Sequence, residues 1–180
     1  MSRSHDLIVT PDAGDAGATA GWATLGERRW RCILGRGGVR RDKQEGDGAT
    51  PVGRFALRRL LYRADRLARP AGTLPVAALD PADGWCDDPA DAAYNRAVAL
   101  PYPASCETLW RNDGVYDLIV VTGHNDAPPL AGAGSAIFIH VARDDRAPTA
   151  GCIAFAMADL LEILAALAPG SAVAVAPGGS

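Results

Sequence analysis

The sequence predicts a mainly β fold with one clear helix near the C-terminus. Residues 116–122 and 135–141 are β-branched and apolar at both odd and even positions, which is typical of central strands that are buried on both faces. The apolar positions of residues 157–167 instead recur at three- and four-residue intervals, as in an amphipathic helix that ends at Pro169 and Gly170. Strands and helices do not alternate, which argues against a Rossmann-type sheet.

The other elements follow from short local patterns. Alternating or β-branched runs predict strands, and clusters of glycine, proline and small polar residues predict turns and loops. In chain order these predictions are a strand at 6–10, a turn at 12–20, a hairpin of strands 22–25 and 30–34 around the turn 26–29, a long loop at 35–51, a strand at 53–61, irregular structure at 63–96, mixed structure at 97–115, a loop at 123–134 and a strand at 172–176. Because loops as long as 35–51 are often functional, this loop is a candidate part of a site.

The length and composition predict one folded domain. The chain has 180 residues, of which 48% are apolar and 22% are charged, and both fractions are ordinary for a globular protein. We treat residues 1–180 as one domain. The 20 glycines and 13 prolines indicate many turns. The composition alone does not indicate an oligomeric state.

Charge is distributed unevenly along the chain, although the net charge is only −3. Residues 27–69 hold 13 of the 18 basic residues and 5 of the 21 acidic ones. Such a stretch can meet an anionic polymer or a phosphate, or it can simply be a solvated face with arginine stems covering apolar surface. Only Lys43 is a lysine, and the chain is rich in alanine, so the arginines reflect a coding bias. We therefore predict no nucleic-acid partner.

Several classes of site and segment are excluded by missing patterns. No apolar run approaches the roughly 18 residues of a membrane-spanning helix, so we expect no membrane span. The four cysteines form no CxxC pair, which argues against a zinc site, and the glycine-rich loop lacks the Gly-Lys-[Ser/Thr] of a phosphate loop. We expect no metal and no cofactor. Residues 1–6 lack the apolar segment of a secretory signal peptide, which on its own indicates a cytoplasmic protein.

Cys152 and His140 are the candidate reactive residues. Gly151 precedes Cys152, permits a tight turn and leaves a backbone N–H open to a substrate oxygen. The predicted helix begins a few residues later, and a nearby helix N-terminus would lower the pKa of the thiol. His140 ends a predicted buried strand and opens a polar loop that leads back to Cys152. The alternative is a buried thiol and a hydrogen-bonded core histidine.

Other polar and aromatic residues are secondary candidates. His124 follows the strand 116–122, and adjacent strands would place it near the same sheet edge as His140, although it could instead bond only to its own loop. Trp85 could contact a substrate or anchor the irregular segment as a core residue. The remaining cysteines are expected to be structural: Cys32 in a core strand, Cys106 between Ser105 and Glu107, and Cys86 in a loop where it is either buried or lines a cleft.

Two motifs resemble those of the L,D-transpeptidase (YkuD) family. Residues 149–153, Thr-Ala-Gly-Cys-Ile, follow His140 after a loop, as in the family pattern of a histidine followed by [S/T]-H-G-C and a hydrophobic residue. Residues 49–55, Ala-Thr-Pro-Val-Gly-Arg-Phe, resemble the family's Thr-Pro-x-Gly-x-Phe element. Residues 84–88 and 94–96 are similar to a subgroup of small, stand-alone members. The resemblance covers roughly residues 7–175.

The resemblance implies a YkuD-like β-sandwich or barrel with one or two short helices. It also implies a peptidoglycan transpeptidase in which Cys152 attacks a stem-peptide amide and His140 moves the proton. The N–H groups of Gly151 and Cys152 would hold the oxyanion, and the thioester acyl-enzyme would pass to an amine on the diaminopimelate of a second stem peptide. His124, Thr149, Arg143 and Trp85 are the expected substrate-binding residues. A peptidoglycan substrate implies that the protein acts in the periplasm or cell wall. This conflicts with the lack of a signal-peptide pattern in residues 1–6.

The chain departs from the family pattern at two positions. Ala150 stands where the family has histidine, and Ala154 stands where a polar or arginine residue is usual. The loop between His140 and Cys152 is also short. These changes leave the acylation residues in place but remove side chains that would recognise the donor peptide. Arg143, Arg146 or His124 would have to compensate for that loss. A carboxypeptidase or endopeptidase of the same fold, and a catalytically silent wall-binding module, are the alternatives.

Overall fold

A computed structural model describes residues 5–178 and shows a mainly β protein, as predicted. The strands are, in chain order, β1 (Leu7–Pro11), β2 (Ala20–Leu25), β3 (Arg28–Ile33), β4 (Val39–Arg40), β5 (Thr50–Pro51), β6 (Gly53–Tyr62), β7 (Val76–Ala78), β8 (Asp83–Cys86), β9 (Ala97–Ala99), β10 (Cys106–Thr108), β11 (Leu118–Thr122), β12 (Phe138–Val141), β13 (Ile153–Phe155) and β14 (Ala172–Val175). The helices are a short 3₁₀ turn (Asp12–Gly14) and α1 (Met157–Ala166). The predicted one or two short helices are thus confirmed.

Most strands belong to one sheet that closes on itself. The order is β11-β12-β13-β3-β2-β1-β14-β6-β7, and β6 pairs again with β11 to complete a barrel. The long strand β6 makes this closure possible, because its first half pairs with β14 and its second half pairs with β11. A separate three-stranded sheet has the order β10-β8-β9. Strand β8 lies in the segment that the sequence predicted to be irregular, and β9 and β10 lie in the segment predicted to be of mixed structure.

Two apolar clusters lie on opposite faces of the central strands. Alternate residues of β11 divide between them: Leu118 and Val120 join the larger cluster, and Ile119 and Val121 join the smaller one. Helix α1 covers the larger cluster through Leu160, Ile163 and Leu164. The smaller cluster fills the space between the main sheet and the small sheet, and it includes Trp85 and Cys152. Burial on both faces explains why residues 118–121 of β11 are all apolar, as predicted.

The structure corrects several predicted boundaries. The strand expected at 135–141 begins only at Phe138, because Ala136 has a positive φ of 52° and breaks the extended run. Strand β13 was not predicted, and it separates Cys152 from α1. The expected proximity of Cys152 to the helix N-terminus is therefore wrong. Among the described residues, no helix is both long enough and apolar enough to cross a bilayer.

Candidate active site

The parallel pairing of β12 and β13 places two reactive side chains on one face of the sheet. His140 is the register partner of Ala154. Cys152 lies two residues before Ala154, so its side chain points to the same face, about 6.6 Å along the strand direction. Ala154, beside His140 on the neighbouring strand, presents only a methyl group to this face. The short loop between the strands is therefore sufficient to bring Cys152 and His140 to one site.

A cavity of about 570 Å³ opens over this face of the sheet. Cys152, His140, Ala154 and Thr149 all contribute to its wall. The volume is in the range of roughly 300–1,000 Å³ that is usual for ligand-binding sites. Charged residues of both signs surround the cavity, namely Arg36, Lys43, Glu45, Asp87, Glu107, Arg111 and Arg143. The cavity can therefore accept a zwitterionic ligand beside the thiol.

Cys152 is held as a neutral thiol. Its side chain is buried, with 7% exposed, and Sγ donates to the Ala136 carbonyl oxygen at 3.2 Å and accepts from the Phe138 N–H at 3.4 Å. Burial raises the pKa of the Cys152 thiol to about 12, and the nearby Glu107 carboxylate adds to this effect. The expectation that a helix terminus lowers this pKa is wrong, because β13 intervenes and desolvation dominates.

His140 is held as a neutral imidazole with one free nitrogen. Nδ1 lies 2.8 Å from the Val141 carbonyl oxygen, which can only accept, so Nδ1 carries the proton and Nε2 has the lone pair. Burial lowers the pKa of His140 to about 4. The ring also packs edge-on against Tyr116, with 5.2 Å between ring centroids. The tautomer suits a general base that acts through Nε2.

No hydrogen bond joins Cys152 and His140, both of which the structure describes. The thiol points to the Ala136 carbonyl instead. Catalytic hydrogen bonds are often formed only when substrate is bound.

Thr149 organises the turn that carries the thiol. Its Oγ1 donates to the Cys152 carbonyl oxygen at 2.7 Å and accepts from the Gly151 N–H at 3.1 Å. The expected open N–H of Gly151 is therefore occupied. Gly151 has a φ of +133°, and a Cβ there would lie 2.8 Å from the Ala49 carbonyl oxygen. Gly151 thus permits the close approach of two backbones, and Thr149 both lines the cavity and supports the turn.

The long loop 35–51 is fastened directly to this turn. At the start of the loop, Gly35 forms an isolated parallel β-bridge with Thr149. The Arg36 N–H donates to the Thr149 carbonyl oxygen at 2.9 Å. Thr50, at the other end of the loop, is fully buried and its Oγ1 accepts from the Gly35 N–H at 2.9 Å. The threonine of the Thr-Pro motif therefore connects both ends of the loop to the site. The loop also supplies Arg36, Lys43 and Glu45 to the cavity wall.

Glu107 and Tyr116 form a polar pair opposite the thiol. The Tyr116 hydroxyl donates to Glu107 Oε1. Burial raises the pKa of Glu107, and burial also raises the pKa of Tyr116 well above its usual value. Sequence reasoning missed this pair, because Glu107 lies in a segment without any hydrophobic period. Its register partner across the small sheet is Trp85.

Trp85 lies behind the cavity wall and not on it. It is buried in the smaller apolar cluster, packs edge-on against Phe138 and donates from Nε1 to Asn95 Oδ1 at 2.9 Å. This position does not support the expectation that Trp85 contacts substrate. It supports the alternative, that Trp85 is a core residue that anchors the segment. Asn95, which also accepts from the Ala136 N–H at 3.0 Å, ties this anchor to the residue that binds the thiol.

His124 lies away from His140. In the antiparallel register of β11 and β12, Ile119 faces His140 and Val121 faces Phe138. His124 therefore follows the opposite end of the strand pair, and the expectation of a shared sheet edge is wrong. Its Nε2 lies 3.0 Å from the Ala133 carbonyl oxygen, and burial lowers its pKa. The His124 side chain bonds within its own loop, packs edge-on against Phe55 with 5.2 Å between ring centroids, and is not part of the cavity wall.

Arg143 reaches the cavity from the loop between β12 and β13. Its ion pair with Asp145, at 3.2 Å, is more than half exposed on both sides, so it is weak and leaves the guanidinium available. Arg36, across the cavity, has no ion pair among the residues that the structure describes. Asp87 Oδ1 is buried without a hydrogen-bond partner. Within residues 5–178 no cluster of histidine, cysteine and acidic side chains could hold a metal ion.

A comparison with known families identifies this architecture. The family model of the L,D-transpeptidase catalytic domain (YkuD) matches residues 21–175. This range spans the barrel from β2 to β14 and includes both Cys152 and His140. Comparisons with curated proteins and with solved structures found no match. The resemblance read from the two sequence motifs is confirmed, and the chain belongs to the L,D-transpeptidase (YkuD) catalytic-domain family.

Proposed function

We propose that the protein is a cysteine L,D-transpeptidase that cross-links peptidoglycan stem peptides at diaminopimelate. The observation that carries the proposal is the placement of Cys152 and His140 on one face of β12 and β13, at the wall of a charged cavity. Family membership supports the same reaction class. A thiol with a neighbouring imidazole base is the arrangement that acyl transfer through a thioester requires.

The acylation step follows from the protonation states of the pair. His140 Nε2 accepts the thiol proton as Cys152 Sγ attacks the carbonyl carbon of the donor amide. The tetrahedral intermediate collapses when Nε2–H protonates the leaving amine, and the C–N bond breaks. The product is a thioester between Cys152 and the donor peptide. Because both groups begin neutral, charge separates only within the bound complex.

Transfer reverses the proton movements. An amine of a second stem peptide attacks the thioester carbonyl and gives its proton to His140 Nε2. The intermediate expels the Cys152 sulfur, which regains the proton from Nε2, and a new amide is released. The steps need no metal and no organic cofactor. Water in place of the amine would give hydrolysis, so the acceptor side of the cavity decides the outcome.

The oxyanion is stabilised by backbone N–H groups of the turn at Cys152. Gly151 already donates to Thr149 Oγ1, so its N–H contributes only after this bond is exchanged for one to the substrate. The Cys152 N–H is the other proposed donor. Thr149 is accordingly a positioning residue that sets the turn.

The charges around the cavity match the ionic groups of a stem peptide. Arg36 and Arg143 are proposed to bind carboxylates, and they take over a role that Ala150 and Ala154 cannot fill. The carboxylates of Glu107 and Asp87 are proposed to bind the ammonium group of the amine acceptor. Since the substrate is the cell wall, we place the activity in the periplasm or cell wall.

Mass spectrometry of muropeptide mixtures tests the proposal. The protein is incubated with diaminopimelate-containing monomeric muropeptides, and fragmentation of any dimer identifies the bond formed. We expect dimers with the unchanged protein and none with Cys152→Ala or His140→Ala. With a donor whose diaminopimelate amine is blocked, so that it cannot act as acceptor, Cys152 should gain the mass of the donor less that of its leaving amine.

Cys32→Ala is the matched control. Like Cys152, Cys32 is a buried thiol, but it lies on β3 in the larger apolar cluster, away from the cavity. This variant should form dimers as the unchanged protein does. Shortened monomers without any dimer would assign a hydrolase instead. Unchanged muropeptides, with no adduct on Cys152, would contradict the enzymatic proposal and favour a wall-binding module.

A further inference from the structure

Two cysteines outside the active site face each other across the small sheet. Cys86 of β8 is the register partner of Cys106 of β10. The Asp87 N–H donates to the Ser105 carbonyl at 3.1 Å, and the Leu109 N–H donates to the Asp83 carbonyl at 3.1 Å. Hydrogen-bonded pairs alternate with non-hydrogen-bonded pairs along an antiparallel ladder, so Cys86 and Cys106 form a non-hydrogen-bonded pair.

This kind of pair has the geometry that a disulfide needs. Cα atoms of a non-hydrogen-bonded pair lie about 4.5 Å apart, and their side chains are closer than in the other kind of pair. A disulfide requires a Cα separation of about 4.4–6.8 Å. Both thiols are free in this structure, and their side chains are within hydrogen-bonding contact. The bond can therefore form without moving the strands.

The pair lies directly behind the active-site wall. Side chains alternate between the two faces of a strand, so Cys86 and Cys106 point away from the face that carries their neighbours Trp85 and Glu107. Trp85 belongs to the cluster beneath the cavity, and Glu107 lines the cavity. A covalent bond on the rear face would hold these two strands, and hence this wall, in register.

We propose that Cys86 and Cys106 are joined by a disulfide in an oxidising compartment, and that this bond fastens β8 to β10 behind the cavity. The proposal does not depend on the transpeptidase activity. The other two cysteines have no such partner: Cys32 is buried in β3, and Cys152 bonds to backbone groups.

The oxidant is a small or protein disulfide, R–S–S–R. The thiolate of Cys106, which is partly exposed, attacks it and releases one R–S⁻. The buried Cys86 thiolate then attacks Sγ of Cys106 in the mixed disulfide and releases the second R–S⁻. The two protons from the cysteines leave with the two thiolates as R–SH. The protein loses two electrons, and the oxidant gains them.

The surroundings favour a lasting bond over a rapid switch. Burial, Cys86 and the carboxylates of Asp87 and Asp91 raise the pKa of the Cys106 thiol. A thiol with a raised pKa is slow to attack, and it is also a poor leaving group when its disulfide is reduced. The bond should form slowly and resist reduction by small thiols.

Peptide mapping after oxidation tests the proposal. Cys152→Ala protein, which lacks the active-site thiol, is treated with oxidised glutathione and then alkylated and digested with trypsin. Arg96 separates the two cysteines, so the digest yields peptides 67–96 and 97–111, each with one of them. We expect these peptides to be joined without reduction and separate after it. The melting temperature should rise by about 5–10 °C on oxidation.

Cys106→Ser and Cys86→Ser, each in the same background, are the matched controls. Neither should gain a cross-link, and oxidant should not raise the melting temperature of either. Glutathione that stays on Cys106 without a cross-link would overturn the proposal. So would two free thiols after prolonged oxidation, or a cross-link that lowers the melting temperature.

Discussion

Cys152 and His140, the proposed nucleophile and base, lie in an environment that opposes charge on either of them. Burial raises the pKa of Cys152 to about 12 and lowers the pKa of His140 to about 4. At neutral pH the resting pair is therefore a thiol and a neutral imidazole, and not a thiolate with an imidazolium. In the proposed mechanism, nucleophilic attack and proton transfer therefore occur together, after the substrate has replaced water in the cavity.

Alkylation of Cys152 reports this resting state. Because only the thiolate reacts, the rate with iodoacetamide should rise about tenfold for each pH unit from about pH 6 to 10, without a plateau. Intact mass spectrometry measures the rate, with Cys152→Ala correcting for the other thiols. A rate that levels off below pH 8 would show a preformed thiolate and contradict this description.

Arg36 offers a second residue-level prediction, because its guanidinium lines the cavity and has no ion pair within the described part of the chain. Arg36→Ala should raise KM for the donor peptide about fivefold, equivalent to about 1 kcal/mol for an exposed ion pair, with little change in kcat. Arg41→Ala is the matched control, since Arg41 is an exposed arginine of the same loop that does not line the cavity. Equal effects from the two variants would argue against a carboxylate contact at Arg36.

At the level of elements, the site depends on a short turn that three segments hold in place. Thr149 bonds within the turn, Gly35 forms a bridge with it, and Thr50 binds Gly35 from the other end of the loop. The proposed nucleophile, Cys152, is thus positioned by backbone contacts between segments that are far apart in sequence. Small changes in this turn should alter catalysis more than they alter stability.

Thr149→Val tests this dependence on the turn. It removes the donor to the Cys152 carbonyl and the acceptor for the Gly151 N–H, so kcat should fall at least about tenfold while KM changes little. The loss of about 1–2 kcal/mol in unfolding free energy should still leave a folded protein. Thr149→Ser retains the hydroxyl and should restore most of kcat. A serine variant as impaired as valine would assign the effect to packing.

The sequence predicted those elements whose own pattern is strong and missed those that depend on pairing. The segments that became β11 and α1 have clear periods, and both were predicted. Strand β13 has only three residues, and its extended form comes from β12 and β3 on either side. The strands of the small sheet have three or four residues each for the same reason.

The site residues also divide into those with a sequence signal of their own and those that reach the site only through strand pairing. Cys152 and His140 were found because they lie in a motif. Glu107 has no such signal, since only the pairing of β10 with β8 brings it to the cavity. The misplacement of His124 arose because a sequence does not specify strand direction. Antiparallel pairing of β11 with β12 sends His124 to the opposite end from His140.

At the scale of the whole molecule, the site occupies the junction between the closed barrel and the small sheet. The smaller apolar cluster that fills this junction contains both Cys152 and Trp85. Stability and function therefore share the same contacts. A buried ionisable group at such a place makes the unfolding free energy depend on pH.

His140 should make the protein less stable as the pH falls. Its pKa is about 4 when folded against an ordinary value of 6.5, so the unfolded chain binds a proton in this window and the folded chain does not. The contribution of His140 to the unfolding free energy is fully present above pH 6.5. It declines as the pH falls toward 4, by at most about 3 kcal/mol. Urea unfolding at several pH values measures the decline.

His140→Gln is the reference for this measurement, because Asp and Glu side chains also titrate at the lower end of the window. Glu107 acts in the opposite direction, since burial raises its pKa. The difference in unfolding free energy between the unchanged protein and His140→Gln isolates the contribution of His140. Parallel stability curves from pH 7 to 4.5 would show that His140 is not held neutral.

The position of β14 governs the order in which the molecule can be assembled. The strand lies between β1 and β6, although it is the last strand in chain order among the described residues. During synthesis, β1 and β6 would each have one unpaired edge until residues 172–175 leave the ribosome, and unpaired edges invite aggregation. The barrel can close only after translation has passed Val175, and a chain stopped shortly before Ala172 would expose the edges of both strands.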